Sequence, residues 1–370
     1  MRFATLLACV LPLAQVAVAA PFAGSNLYYA AGLTADGRTA YLKTLQSAGM
    51  KVLRVWLDGQ SGSPKGTSIN AFPDLEPTKI CDGDTSCYNP TVLERLDDFM
   101  VAAHSFGIKL LISMHSFNAL AAGDVYGAIY GTGFFYEQAT PQAAFDKRLE
   151  YILNHEHTTL GKPWKELRDY IFAFEAENEA MIGKGADYIA AHTQWQCDRA
   201  QTIKNQLGSN SGILVTTGGE SYLDESMQTA WFGCDALDML AIHAYGPGDF
   251  DTAKLEGYVT KAVAAGKLLI MEEWGVCYAT SANNGAANCD PGDGAQSASA
   301  RNADIAQWSA QIVAAGLPWL YWQAIPNADP HQGADFEIGV TGDPSWTALQ
   351  AAAKAASSAS SPFDFSKYLL

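Results

Sequence analysis

Short, nearly continuous apolar runs recur along the chain with polar, helix-like or loop stretches between them. They cover Leu27 to Ala30, Val52 to Leu57, Ile108 to Met114, Ile171 to Ala176, Ile213 to Thr217, Met239 to Ala244, Leu268 to Met271 and Trp319 to Ala324. A strand that is apolar at almost every position is covered on both faces, and such strands alternating with helices make a parallel sheet closed by crossovers. Some of the helices are legible: Leu93, Leu96, Phe99 and Met100 recur at helical spacing within Thr91 to His104, and Phe145, Leu149 and Ile152 repeat the pattern. Eight alternations over this length predict one α/β domain, a (β/α)8 TIM barrel, ahead of a doubly wound open sheet. The Ala/Ser-rich tract from Ala351 to Ser361 should begin as a helix and end on its serines. The Gly-, Pro- and Asp-rich inserts Ser61 to Pro90 and Ala279 to Ser297 both follow predicted strands, which places them on the face where a barrel binds its ligand.

The first twenty residues depart from this pattern. Arg2 precedes an apolar stretch from Phe3 to Val18, interrupted mainly by Pro12 and Gln15, and small residues follow at Ala17, Ala19 and Ala20. This is the pattern of a secretory signal peptide, cut after Ala19 or Ala20, so that residues 21–370 form the single mature domain of an extracellular protein. Seven cysteines become six once Cys9 is removed with the signal, and an even number in an exported chain predicts three disulfides. Proximity in sequence suggests Cys81 with Cys87 and Cys277 with Cys289, leaving Cys197 with Cys234; a zinc site lacks any C-x-x-C to build on. The formal charge of -16 disfavours nucleic acid as a partner but is compatible with a neutral polymer. No later run is long enough for a membrane helix, and the expected protein is a soluble monomer.

Polar and aromatic residues gather where the apolar runs stop. Arg54 and Asp58 follow the second, His115 the third, and Asn178 and Glu179 the fourth; His243 and Tyr245 lie on the sixth, Glu273 and Trp274 on the seventh, Trp322 and Gln323 on the eighth. A barrel brings all these ends around one mouth. His115 alone would read as a hydrogen-bonded core residue; the joint placement points to a site. Two glutamates on facing strand ends can hold their carboxyl groups roughly 5 Å apart, as retaining glycoside hydrolysis requires. One protonates the departing oxygen and the other attacks the sugar carbon. The segment Phe174-Glu175-Ala176-Glu177-Asn178-Glu179 offers three glutamates at period two, all on one face if it stays extended. Glu272 and Glu273 should face opposite sides, with only one turned into the mouth.

Phe174 to Glu179 resembles the W-E-L-A-N-E-P stretch of family 5 glycoside hydrolases, and Leu269-Ile270-Met271-Glu272-Glu273-Trp274-Gly275 resembles their E-[FWY]-G nucleophile strand. His243-Ala244-Tyr245 is similar to the H-x-Y of strand six. The resemblance implies Glu179 as acid/base, Asn178 on the sugar 2-hydroxyl, and Glu273 as nucleophile tuned by Arg54 and Tyr245. It further implies His115 and His243 lining the subsite and Trp322 as stacking floor, with no cofactor and no metal. The chain departs from the family at Ala180 and Met181, where Pro, and in mannanases Arg, are usual. It departs again at Glu177, which stands where a small apolar residue is usual. Glu177 is a possible modulator if it points inward, or a solvated or hydrogen-bonded neighbour if the strand bulges.

The layout from Gly131-Thr132-Gly133-Phe134-Phe135 through Thr158 to Trp164 resembles fungal endo-β-1,4-mannanases, so β-mannan is the first expected substrate. A β-glucan (β-1,4, β-1,3 or β-1,6) is the second, with exo-acting β-glycosidase and catalytically silent glycan-binding barrel as the other readings. A metal-dependent barrel hydrolase would need His-x-His at the first strand, where Asn26-Leu27-Tyr28-Tyr29-Ala30 stands instead. His155-Glu156-His157 reads as surface, and Asp82-Gly83-Asp84 as a disulfide-closed turn rather than a calcium loop.

Overall fold

The computed structural model describes residues 19–279, 289 and 294–370. Eight parallel strands close into a barrel: β1 (Ala23–Asn26), β2 (Val52–Trp56), β3 (Lys109–Ser113), β4 (Ile171–Glu175), β5 (Leu214–Thr216), β6 (Met239–Ala244), β7 (Leu268–Trp274) and β8 (Trp319–Tyr321). The closing pair, β1 with β8, is in register from Ala23↔Trp319 to Ser25↔Tyr321. The proposed residues 1–20 lie outside the described region except for Ala19 and Ala20, and so does most of the insert after Ala279.

The first strand falls four residues before the apolar run that marked it. Ala23, Gly24, Ser25 and Asn26 form β1 because space there is short: a Cβ on Gly24 would lie 2.2 Å from the Val52 carbonyl oxygen. Small residues fit this strand, whereas Leu27 to Ala30 lead into a turn with Leu27, Tyr29 and Ala30 buried. Elsewhere the runs mark strands, although β7 continues three residues past Met271 to Trp274.

The crossover helices bury the stripes expected of them. Helix Thr91–Ser105 buries Leu93, Leu96, Phe99 and Met100, and helix Ala139–Asn154 buries Phe145, Leu149 and Ile152. The alanine-rich helix Trp346–Ala356 ends at Ser357. Disulfides join Cys81 to Cys87, Cys197 to Cys234 and Cys277 to Cys289, with Cα separations of 5.4, 6.0 and 5.8 Å. The insert after β2 is tied down a second time by buried Arg148, which donates to Asp74 at 2.9 Å and Glu76 at 3.3 Å. Lys65 of the same insert reaches the barrel mouth, where it pairs with Glu337 at 2.9 Å.

Candidate active site

The period-two geometry of β2 puts Arg54 and Trp56 on one face, at the carboxyl end of the barrel. Arg54 is the hub of the site and fully buried. Its Nη1 donates to Glu273 Oε1 at 2.5 Å and to Asn26 Oδ1 at 3.2 Å. Its Nη2 donates to Glu175 Oε1 at 2.5 Å and to Asn178 Oδ1 at 2.7 Å, and Nε donates to Glu175 Oε2 at 3.1 Å. Burial opposes the guanidinium charge, yet Glu175, Glu272 and Glu273 together raise its pKa.

The three glutamates of the fourth run do not share a face, because the strand ends at Glu175. Beyond it Asn178 N donates to the His115 carbonyl at 2.9 Å and Glu179 N to the Gly218 carbonyl at 3.0 Å. Glu179 then takes φ +49° and Met181 φ +72°, a left-handed turn of the sort held in place around functional sites. Glu175 therefore binds Arg54 inside the barrel, and Glu179 opens into the cleft. Glu177 turns away to accept from Tyr136 Oη at 2.9 Å and to meet His115 Nδ1 at 2.8 Å.

In β7 the expectation that only one glutamate faces inward is corrected by a bulge. Ile242 pairs with Met271 and His243 with Glu273, so one residue is skipped and Glu272 and Glu273 both point to the barrel axis. Glu273 accepts from Tyr245 Oη at 2.6 Å as well as from Arg54. Glu272 lies deeper, 3.5 Å from Arg54 Nε and 3.0 Å from His243 Nε2. His243 Nδ1 faces both other carboxyl groups, 3.1 Å from Glu179 Oε1 and 3.5 Å from Glu273 Oε2. Gly219, at φ +64°, gives the histidine its space: a Cβ there would sit 2.2 Å from the ring.

These surroundings separate the two cleft carboxyl groups. Burial pushes Glu179 up to about 7, against the opposing pull of Arg54. Burial also raises Glu273, but Arg54 and the Tyr245 hydroxyl hold it back, whereas the pull of a charged His243 does not operate once that imidazole is neutral. Glu272 is raised well above the usual range by burial, and burial lowers His243 to about 4. If the raised Glu272 carboxyl donates to Nε2, a neutral imidazole keeps its Nδ1 hydrogen for the cleft. Glu179, His243 and Glu273 each offer an atom within 4.8 Å of the others. Such a trio could hold a metal ion, but the buried Arg54 already supplies the positive charge beside it. Asp329, His331 and Asp335 form a second close trio, near the rim.

Glu179, Glu273, Asn178, Tyr245 and Trp322 line one cavity of about 310 Å³. His115 is not among its lining residues. It is fully buried between Glu177 and Asp124 (Nε2 to Oδ2 2.7 Å), and the rings of Tyr126, Phe135 and Phe145 pack around it. Burial opposes its charge, but the two carboxylates raise its pKa well above the usual imidazole range. Glu177 is thus neither solvated nor in the cleft. The short loop motif His155-Glu156-His157 is also less superficial than its sequence suggests, since His157 is buried and accepts from the Thr159 and Leu160 amides.

Sequence reasoning missed Asn26, Tyr28, Lys65, Ser221 and Glu337 as parts of the site or its shell, and it named Glu175 only as one of three glutamates on the fourth run. It also missed Trp56, which shares a face with Arg54 two residues earlier; strand periodicity alone could have found it.

A parallel barrel whose mouth brings two carboxyl groups within 4.8 Å of a shared histidine, beside the half-buried indole of Trp322, has the construction of a retaining glycoside hydrolase. The family model described as Cellulase (glycosyl hydrolase family 5) matches residues 20–328, and the chain belongs to that family. Mannan endo-1,4-beta-mannosidase A of Aspergillus aculeatus is 25% identical over 290 residues, 69% of this chain and 69% of that protein. Probable mannan endo-1,4-beta-mannosidase A of Aspergillus oryzae is 29% identical over 286 residues, 69% of this chain and 67% of that one. The barrel is similar to that of the endo-1,4-beta-mannanase from Rhizomucor miehei, with TM-score 0.65 and 19% identity over 92% of this chain and 95% of that chain. The endo-beta-1,4-mannanase from Thermotoga petrophila gives the same TM-score, 0.65, at 20% identity over 91% of this chain and 77% of that chain.

Proposed function

We propose that the protein is a secreted endo-β-1,4-mannanase in which Glu179 is the acid/base and Glu273 the nucleophile. The observation that carries the assignment is the unequal environment of two adjacent carboxyl groups. Glu273 is ion-paired to Arg54 at 2.5 Å and bonded to Tyr245, which suits an ionised group that attacks the sugar carbon. Glu179, raised to about 7 by burial, suits a proton donor. In the first step Glu273 forms a bond to the anomeric carbon while Glu179 gives its proton to the leaving oxygen. In the second, Glu179 takes a proton from water and the water displaces Glu273. Asn178, held by Arg54, is placed to bind the 2-hydroxyl, and Trp322 to stack on the sugar.

Mannan as substrate rests on the relatives named above. The buried Ala180 and Met181 after Glu179, in place of the usual Pro and Arg, favour a second reading, a β-glucan. Secretion is supported by the pattern of residues 1–20 and by the three disulfides. Among the described residues no helix is long and apolar enough to cross a membrane.

The test is reducing-sugar release from galactomannan, linear mannan, carboxymethyl cellulose and β-1,3- and β-1,6-glucans, with Glu273→Gln as control. Release from the mannans alone is expected; release from a glucan replaces the substrate, and silence on all five overturns the endo-acting reading in favour of a narrow exo-glycosidase or a glycan-binding barrel. The pH profile of kcat/KM should fall as pH rises through about 7, where Glu179 loses its proton, and fall again in acid as Glu273 gains one. A basic limb that Glu179→Gln leaves in its residual activity would reassign it to another group.

A further inference from the structure

Beyond β8 the short strands Ala324–Ile325 and Ile338–Gly339 pair in parallel, and the loop between them runs along the barrel rim. It ends in Phe336 and Glu337, which line the catalytic cavity, and the Phe336 ring packs 4.7 Å from that of Tyr245. The same loop gathers Asp329, His331 and Asp335, each with a ligand atom within 4.8 Å of the others. None of the three lines the catalytic cavity. The side chains of Asp329 and Asp335 are only 3% and 0% exposed, while that of His331 is 31% exposed and gives the trio an opening to solvent.

Within the trio one imidazole hydrogen faces two carboxyl groups. His331 Nδ1 meets Asp335 Oδ2 at 2.8 Å and lies 3.3 Å from Asp329 Oδ2. A hydrogen on Nδ1 goes to Asp335, and among the described residues no donor meets Asp329 Oδ2 at hydrogen-bond geometry. Asp329 is held in this aim by its other oxygen, which accepts from the His331 amide at 2.9 Å. The neighbouring cations are engaged elsewhere: Lys65 pairs with Glu337 at 2.9 Å, and Arg301 donates to the Glu337 carbonyl at 2.6 Å and faces Asp343 at 3.9 Å. Burial and the adjacent Asp329 push Asp335 up to about 7, against the pull of Arg301 and His331. A buried carboxylate oxygen without a donor is costly, and native structures rarely keep one without a use.

We propose that Asp329, His331 and Asp335 bind one divalent transition-metal cation of the Zn²⁺ class, which ties the rim loop together beside the catalytic cavity. One imidazole and two carboxylates, with water in the open position, suit Zn²⁺ and its first-row neighbours; Ca²⁺ and Mg²⁺ take oxygen ligands. Ligands about 2.1 Å from a tetrahedral ion stand about 3.4 Å apart. The separation of His331 from Asp329 already fits, and the contact with Asp335 must open by roughly half an ångström as Nδ1 gives up its hydrogen. The plain alternative is that Asp329 and Asp335 share a proton and bind no cation.

The experiment titrates Zn²⁺, Ca²⁺ and Mg²⁺ by calorimetry into protein freed of metal with a chelator, alongside Asp329→Asn and His331→Asn. Asparagine at 329 keeps the oxygen that accepts from the His331 amide, and at 331 it tolerates the left-handed φ of +55°. One equivalent of Zn²⁺ should bind the parent with a Kd of about 10 µM or tighter, and each variant should weaken it at least about tenfold. Saturating Zn²⁺ should raise the parent's Tm by about 3 °C and leave that of both variants unchanged. Co²⁺ in place of Zn²⁺ should give the parent a visible absorption spectrum that both variants lose. Zn²⁺ bound equally by the parent and both variants sits elsewhere, with Glu179, His243 and Glu273 as the rival place, and overturns the proposal. So does the absence of any Zn²⁺ binding by the parent, which leaves the shared proton, or Ca²⁺ binding as tight as that of Zn²⁺.

Discussion

The glutamates at and just past the end of β4 and those at the end of β7 reach their places by opposite routes. Glu175, Glu177 and Glu179 have the spacing that gives a strand one face, yet they go to the barrel interior, to His115 behind the site, and to the cleft. Glu272 and Glu273, whose spacing should part them, converge on Arg54 and His243 because of one skipped residue in the ladder. Alternation predicts direction only while the strand lasts and stays regular. Both departures occur at the mouth, where left-handed turns and bulges re-aim side chains toward chemistry.

The comparison breaks first at its two outermost members. Glu273→Gln removes the group that attacks carbon and should cut kcat by at least about 10³-fold, while Glu179→Gln removes proton transfer and should cost about 10²- to 10⁴-fold. Both should fold normally by circular dichroism. A Glu179→Gln protein losing far less on a nitrophenyl glycoside than on polymer would identify the lost step as protonation of the leaving group. Arg54→Lys probes the hub between the two strands. A lysine carries the charge but cannot bond Glu175, Asn178, Asn26 and Glu273 together, so kcat should fall roughly 10²-fold. Near-normal kcat would mean that charge alone, not the fork geometry, orders the site.

How far the sequence carries one also differs between these regions. The barrel is legible because seven of its strands are bulky apolar runs, and the one misplaced strand, Ala23–Asn26, is made of small residues that no run would flag. Arg54, Asn178, Glu179, Tyr245, Glu273 and Trp322 are legible as strand-end chemistry, and the cleft gathers them. His115 has the same residue type and the same strand-end position, but three aromatic rings and two acids enclose it. Nothing local distinguishes it from a cleft residue, because its partner Asp124 and the rings of Tyr126, Phe135 and Phe145 come from the segment after β3. Lys65 and Glu337 owe their relevance to long loops, whose paths alternation does not encode.

Glu177 offers the next break. It accepts from Tyr136, whose hydroxyl in turn accepts from the Met181 amide at 3.1 Å, just past Glu179. Glu177→Ala leaves buried His115 with Asp124 as its one acidic partner, which should cost about 3 kcal/mol of stability and, for a chain of this length, lower Tm by roughly 4 °C. Differential scanning calorimetry reads this directly. A shifted pH profile with unchanged Tm would instead make Glu177 part of the cleft electrostatics.

The smallest effect is expected from the residue nearest the nucleophile. Burial pushes the Glu272 carboxyl well above the usual carboxylate range, which favours the neutral form as donor to His243 Nε2 at 3.0 Å. Glu272→Gln preserves the shape, the neutrality and a hydrogen to donate, and kcat/KM at pH 6 should stay within about threefold of the parent. Two adjacent glutamates would then give opposite answers to the same substitution. A collapse of activity in Glu272→Gln as deep as in Glu273→Gln would show that Glu272 works as an anion beneath Arg54. The neutral His243 tautomer argued above would then have to be reversed, with its Nε2 rather than its Nδ1 carrying the hydrogen.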